Sequence, residues 1–193
     1  VPVIITEPLQ MIQLSISENP VICYGEDNGS INLTPIGGTA PYNFDWYNDG
    51  NLLLSQHVED PENLVSDTYL VNVTDDNGCF DTISIKVTEP DELLISNVDI
   101  TDVLCNGNAT GEINISLTGG ILPYNFLWSN GEITEDLSGT VDGTYTIDIT
   151  DANLCTIQST YSIIEPEFPL TAFSVNNDVL CFGDNSGNID FSV

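Results

Sequence analysis

The chain has 193 residues, of which 41% are hydrophobic, so it can bury packed cores. Thirty acidic residues against one lysine, Lys86, give a formal charge of −29, which excludes nucleic acid as a partner because phosphate backbones would be repelled. No stretch approaches the roughly 18 consecutive apolar residues of a membrane span, so we expect no membrane insertion.

A stretch of 24 residues occurs twice in the chain. It reads CYGEDNGSINLTPIGGTAPYNFDW from Cys23 and CNGNATGEINISLTGGILPYNFLW from Cys105, with 12 identical positions, and it begins again at Cys181. Glu-Pro pairs recur at the ends of the copies. An array of this kind predicts repeated modules. We divide the chain into the end of an upstream repeat (1–8), repeat 1 (9–90), repeat 2 (91–166) and the start of repeat 3 (167–193).

Within each repeat, apolar and polar residues alternate with a period of two, which predicts strands with one buried face. In repeat 1 we expect strands A (9–22), B (29–36), C (42–47), F (68–75) and G (80–88), with a variable region between C and F. Turn signals such as GGTAP and DDNG separate the strands. The pattern predicts an all-β chain of tandem immunoglobulin-like or PKD-like antiparallel β-sandwich repeats arranged end to end.

Glycine pairs and aromatic residues in the repeated stretch have a structural interpretation. Gly37-Gly38 and Gly119-Gly120, each followed by a proline, predict the turn between strands B and C, where glycine tolerates positive φ. Tyr42, Phe44 and Trp46 have a spacing of two, which places them on one face of strand C. We expect that face to be core and not a platform for sugar binding.

The combination of CxGxxxGxI, GGxxPYxxxW, GTYTIDITDANLC and a closing Glu-Pro resembles the SprB repeat over nearly the whole chain. The chain departs from the family pattern at Leu154, where the family usually has glycine, and at Ser66-Asp67. The resemblance implies a module of long surface adhesins of gliding bacteria that export proteins by the type IX route. It further implies an extracellular, cell-surface location, and the gliding and export machinery as partners.

The five cysteines suit disulfides in an exported protein. In an immunoglobulin-like sandwich, the A–B loop and the F–G turn lie at opposite poles, roughly 20 to 30 Å apart, whereas a disulfide needs Cα atoms within about 7 Å. This geometry favours a bond across the 90/91 junction, Cys23–Cys155. Pairing within each repeat, Cys23–Cys79 and Cys105–Cys155, remains the alternative.

The same junction is expected to collect carboxylates. Calcium binds six to eight oxygen ligands, so a cluster of acidic side chains there predicts a calcium site. The alternative is a solvated acidic face. The six candidate metal ligands are Glu26, Asp27, Glu89, Asp91, Glu92 and Asp151.

These observations favour a structural function. We expect a repeat segment of a long acidic adhesin filament used in surface attachment and gliding motility, with neighbouring repeats of the same chain and an external surface or polysaccharide as partners. The alternative is a module that itself binds polysaccharide or a surface through the repeat-1 insertion (47–67), because binding is often added on loops. We expect no enzyme: no residue is assigned to catalysis or cofactor binding, since among thirty acids some pair always lies at a suitable distance.

Overall fold

The computed structural model describes residues 10–53, 57–179, 181–183 and 185–193, so the predicted end of an upstream repeat (1–8) lies outside the described residues. The described elements are β-strands in antiparallel sheets, which confirms the predicted all-β fold. Among these residues there is no helix with the length and apolar character needed to cross a membrane.

Repeat 1 forms two sheets. The first has the order β1-β2-β5 and the second has the order β4-β3-β6-β7. This arrangement is that of an immunoglobulin-like sandwich, in which strands A, B and E face strands C, F and G. The strands are β1 (Gln13–Asn19), β2 (Gly29–Ile36), β3 (Asn43–Asn48), β4 (Asn51–Leu52), β5 (Glu62–Leu64), β6 (Asp67–Thr74) and β7 (Phe80–Val87).

Repeat 2 forms a corresponding pair of sheets, with the orders β11-β9-β8 and β10-β12-β13, in which the described residues form no counterpart of β4. A separate hairpin pairs β14 with β15 near the end of the chain. The strands are β8 (Leu94–Thr101), β9 (Gly111–Thr118), β10 (Asn125–Trp128), β11 (Leu137–Thr140), β12 (Gly143–Thr150), β13 (Thr156–Ile163), β14 (Phe173–Asn177) and β15 (Asn188–Ser192).

The chain divides into two compact units that cut across the repeat boundaries. Unit 1 contains residues 1–94 together with 118–124 and 150–156, and unit 2 contains residues 95–117, 125–149 and 157–193. The turn that carries Cys155 is therefore part of the same unit as the loop that carries Cys23.

A buried tryptophan on the third strand anchors the core of each repeat. Trp46 on β3 and Trp128 on β10 are almost fully buried, and Tyr42 and Phe44 pack against the repeat-1 core as expected from their spacing. The indole N–H of Trp46 donates to the carbonyl of Val58 (2.9 Å), and that of Trp128 donates to Thr134 (2.9 Å). Buried indoles need such a partner, so the loop after the third strand closes over each core.

A tyrosine corner begins strand F in both repeats. The Tyr69 hydroxyl donates to the carbonyl of Val65 (3.0 Å), and the Tyr145 hydroxyl donates to Val141 (3.0 Å). This bond to the backbone four residues upstream is a hallmark of immunoglobulin-like sandwiches. Burial, the largest cause, raises the pKa of the Tyr69 phenol above its ordinary value of 10.0, and the nearby Asp67 carboxylate raises it further.

The raised pKa of Tyr69 predicts a loss of stability in alkali. Below the ordinary pKa the neutral phenol contributes its full stabilisation, and this contribution is lost as the pH rises through the higher folded-state pKa, because the unfolded chain ionises first. Urea unfolding of the thiol-alkylated protein between about pH 8 and pH 11 should therefore show a steeper fall in the free energy of unfolding for the parent than for Tyr69→Phe. Equal slopes would contradict the prediction.

Candidate functional site

A buried carboxylate holds the turn between strands F and G in each repeat. In the Cys79 turn (residues 75–79), Oδ1 of Asp75 accepts from the N–H groups of Asn77 (3.0 Å) and Cys79 (2.9 Å). Its Oδ2 accepts from the N–H of Thr39 in the B–C turn (2.9 Å). One side chain therefore fixes the local turn and connects it to the glycine-rich turn beside it.

The Cys155 turn (residues 151–155) is built in the same way. Asp151 is fully buried, and its Oδ1 accepts from the N–H groups of Asn153 (2.8 Å) and Cys155 (2.9 Å). Its Oδ2 accepts from the N–H of Ile121 (2.9 Å). Three backbone donors offset the cost of burying this charge.

The glycine pair allows the start of strand A to approach the B–C turn. All four glycines have positive φ, which confirms the predicted turn. A Cβ on Gly119 would lie 1.9 Å from the carbonyl oxygen of Glu92, and a Cβ on Gly37 would lie 2.2 Å from that of Met11. A residue with a side chain would force these backbones apart.

A glutamate holds the cysteine loop in each repeat. In the Cys23 loop (residues 21–28), the N–H of Gly25 donates to Oε2 of Glu89 (2.8 Å). In the Cys105 loop (residues 103–110), the N–H of Gly107 donates to Oε2 of Glu165 (2.6 Å). These glutamates belong to the recurring Glu-Pro pairs, and the sequence predicted a metal-binding role for Glu89 and none for Glu165.

The Cys23 loop and the Cys155 turn are joined covalently. Cys23 and Cys155 form a disulfide with an S–S distance of 2.00 Å and a Cα–Cα distance of 5.7 Å. Beside it, the side-chain amide of Asn153 donates to the carbonyl oxygen of Ile22 (2.9 Å). Asparagine lies two residues before the cysteine in both turns, a recurrence that is the sequence signal of this contact.

The pairing within each repeat is absent from the structure. Cys79 and Cys105 are free and exposed, as is Cys181. Cys155 is bonded to Cys23, so neither Cys23–Cys79 nor Cys105–Cys155 can form in the same molecule.

The six predicted calcium ligands do not assemble into a metal site. No group of three or more His, Cys, Asp or Glu side chains within the described ranges could hold a metal ion. Oε2 of Glu89 accepts from Gly25, Oε2 of Glu26 accepts from the Asn28 amide (2.6 Å), and Asp151 is saturated by backbone donors. These hydrogen bonds engage three of the six carboxylates, and calcium binding by the six residues stays a prediction.

The repeat-1 insertion (47–67) is tied to the core at several points. Oδ1 of Asp60 accepts from the N–H of Leu33 (2.8 Å), and Pro61 is fully buried. At its start the insertion borders a shallow surface groove of about 570 Å³, lined by Tyr47, Asp49, Gly50, Thr68, Leu70 and Ser84. The groove is a concave surface, and its lining includes one aromatic ring.

Comparison with protein families identifies the repeated stretch. Residues 15–51 and 97–133 match the family model of the SprB repeat. The match confirms the resemblance inferred from the sequence, and each SprB segment includes a cysteine loop and the Gly-Gly turn described above. No curated protein matches the chain.

Three solved structures are similar at low identity. The chain is 11% identical to the N-terminal eight immunoglobulin domains of Down syndrome cell adhesion molecule (TM-score 0.45; 81% of this chain, 25% of that one). It is 16% identical to an amphioxus IgVJ-C2 molecule, with a TM-score of 0.33 over 78% of this chain and 96% of that one. It is 14% identical to domains 4–9 of surface layer protein SbsC, with a TM-score of 0.30 over 90% of this chain and 33% of that one. The chain thus spans a quarter of the first and a third of the last.

Leu154 gives a direct test of turn strain. It adopts a φ of 69° where the Cys79 turn has Gly78 at 81°, and its side chain is 78% exposed. A left-handed conformation costs a non-glycine residue roughly 1–2 kcal/mol. Glycine avoids this cost but loses more backbone entropy on folding, which offsets part of the benefit. Leu154→Gly should therefore raise the free energy of unfolding by about 0.5–1 kcal/mol in urea titrations.

The matched control is Gly78→Leu. No atom lies within 4 Å of a Cβ built on Gly78, so its positive φ alone should make this variant less stable. If both substitutions shifted stability in the same direction, the strain argument would fail.

Proposed function

We propose that this chain is a spacer segment of a long, acidic adhesin filament on the cell surface, which carries mechanical load during surface attachment and gliding. SprB repeats and immunoglobulin-like sandwiches are structural modules, and the SprB repeat is a module of cell-surface adhesins. The observation that carries the proposal is the covalent bond between the Cys23 loop of one repeat and the Cys155 turn of the next.

The bond limits how far the chain can lengthen under tension. Cys23 and Cys155 are separated by 132 residues in sequence. When force pulls on the two ends, those residues are bypassed because tension passes through the disulfide. Unfolding of the sandwiches then cannot lengthen the filament by the extended length of this segment, a property suited to a tether.

The negative net charge and the disulfide are consistent with an extracellular filament. Disulfides persist mainly in oxidising compartments such as the cell surface. A formal charge of −29 would keep neighbouring filaments apart and soluble. The partners we propose are neighbouring repeats of the same chain and an external surface or polysaccharide, with the gliding and export machinery acting on the longer protein.

Single-molecule stretching between the chain ends tests the proposal. With the disulfide intact, the contour length after unfolding should be shorter than that of the reduced chain by roughly 440 to 480 Å, because 132 residues at about 3.3–3.6 Å each remain bypassed. Adding a reductant should restore this length. The same contour length with and without reductant would contradict a load-bearing crosslink.

Two cysteine variants serve as controls for the stretching experiment. Cys155→Ser removes the bond and should give the long contour length under both conditions. Cys181→Ser removes a free thiol and should behave as the parent does.

The groove beside the repeat-1 insertion favours a second candidate, polysaccharide binding. Tyr47 offers a ring on which a sugar can stack, and Asp49, Thr68 and Ser84 offer polar groups around it. If repeat 1 binds glycans, Tyr47→Ala should lose at least tenfold in affinity on a polysaccharide array, whereas Ser129→Ala in the smaller repeat-2 groove of about 360 Å³ should not. Equal binding by both variants would exclude the groove as a glycan site.

A further inference from the structure

The free thiols of this chain occupy the same structural positions as the bonded ones. Cys105 lies 82 residues after Cys23 at the corresponding position of the repeated stretch, and Cys79 lies 76 residues before Cys155 in the corresponding turn. The internal repetition therefore allows a direct comparison between a bonded and a free copy of each element.

The Cys105 loop has the conformation of the bonded Cys23 loop. In the bonded loop, Val21 N–H donates to Thr88 (2.8 Å) and Gly25 N–H donates to Glu89; in the free loop, Val103 N–H donates to Ile164 (3.0 Å) and Gly107 N–H donates to Glu165. Gly25 and Gly107 share a φ near 75°. The Cys105 loop thus already has the conformation of the disulfide-bonded loop, although Cys105 is a free thiol.

The Cys79 turn is likewise built as the bonded Cys155 turn is. Asp75 accepts from Asn77 and Cys79 as Asp151 accepts from Asn153 and Cys155. Asn153 donates to the carbonyl of Ile22 in the bonded loop. Asn77, the counterpart of Asn153, precedes the exposed Cys79 by the same two residues.

The surface around Cys105 offers space for an incoming turn. Leu104, the counterpart of Ile22, is 77% exposed. A groove of about 740 Å³ adjoins it, with a lining that includes Leu104, Cys105, Asn106, Pro166 and Phe168. The bonded loop buries its corresponding position more, since Ile22 is 49% exposed.

We propose that Cys105 and Cys79 are the two halves of further disulfides of the Cys23–Cys155 type, each made with another copy of the SprB repeat. The cysteine loop of one repeat bonds to the F–G turn of the repeat that follows it, and the turn asparagine donates to the carbonyl before the loop cysteine. This inference rests on the proposed function, because a load-bearing array needs the same crosslink at each junction.

The chemistry is thiol–disulfide exchange with an external disulfide. Two cysteine thiols react with one molecule of an oxidised disulfide such as oxidised glutathione, giving one protein disulfide and two reduced glutathione molecules. Each protein sulfur loses one hydrogen and each glutathione sulfur gains one, so that two electrons pass to the reagent.

The test lengthens the full chain by one repeat. A second copy of residues 91–166 is inserted after Pro166, which preserves the Pro-Asp and Pro-Glu junctions of the parent, and the protein is oxidised with oxidised glutathione. The parent has three free thiols. The insert adds two cysteines, so five free thiols are expected without a new bond and three with the bond from Cys105 to the inserted copy of Cys155.

Thiol titration and disulfide mapping read out the result. Asp- and Glu-directed proteases are used because Lys86 is the single tryptic site. The expected map contains the original Cys23–Cys155 peptide pair and a new pair from Cys105 to the inserted turn, and Cys105→Ser removes the new pair alone. Five free thiols beside an intact Cys23–Cys155 bond, or a new pair that survives Cys105→Ser, would overturn the proposal.

A second insertion tests the Cys79 turn. When residues 9–90 are inserted after Pro166, Cys105 should bond to the inserted copy of Cys79. If Cys105 stayed free in both lengthened chains, the proposal would also be overturned. Stretching of the parent chain is independent of both insertions. A failed crosslink with a normal parent trace therefore rejects this inference and leaves the proposed function standing.

Discussion

A buried carboxylate satisfied by backbone N–H groups is the interaction on which the cysteine turns depend. Asp151 is fully buried and accepts hydrogen bonds from three backbone N–H groups, one of which belongs to Cys155 itself. Without that carboxylate the N–H groups of the turn would be left without their acceptor, and the position of Cys155 would no longer be fixed. The disulfide is thus the end of a chain of contacts that begins with the aspartate.

The same carboxylate connects the turn to the Gly-Gly segment, which in turn receives the start of strand A. Asp151 accepts from Ile121, and Gly120 N–H donates to the carbonyl of Asp91 (2.8 Å). The first glycine of each pair, Gly37 or Gly119, is required because a backbone carbonyl oxygen lies where its Cβ would be. Hydrogen bonds therefore connect the start of strand A, the Gly-Gly turn and the cysteine turn into one group. This explains why these motifs recur together along the chain.

Much of the fold follows from local sequence pattern, because alternation fixes which face of a strand is buried. Strand B was predicted at its observed bounds, 29–36, and Trp46 was placed in the core from spacing alone. The preference for Cys23–Cys155 followed from the poles of a sandwich and not from the cysteine spacing. The roles of Glu89 and Asp151 were missed, since an acidic residue reads the same in sequence whether its oxygens meet a cation or backbone N–H groups.

The extreme composition explains why these particular interactions hold the loops. Ion pairs between distant segments need cations, and the chain has one lysine, no arginine and one histidine, His57, whose Nδ1 lies 3.6 Å from Asp45. Carboxylates in such a chain can be satisfied internally only by N–H and O–H donors, so they cap loops and turns. A charged pair across 132 residues of sequence is not available at the cysteine loop. The disulfide, with the Asn153–Ile22 hydrogen bond beside it, takes the place that an arginine–carboxylate pair occupies in proteins of ordinary composition.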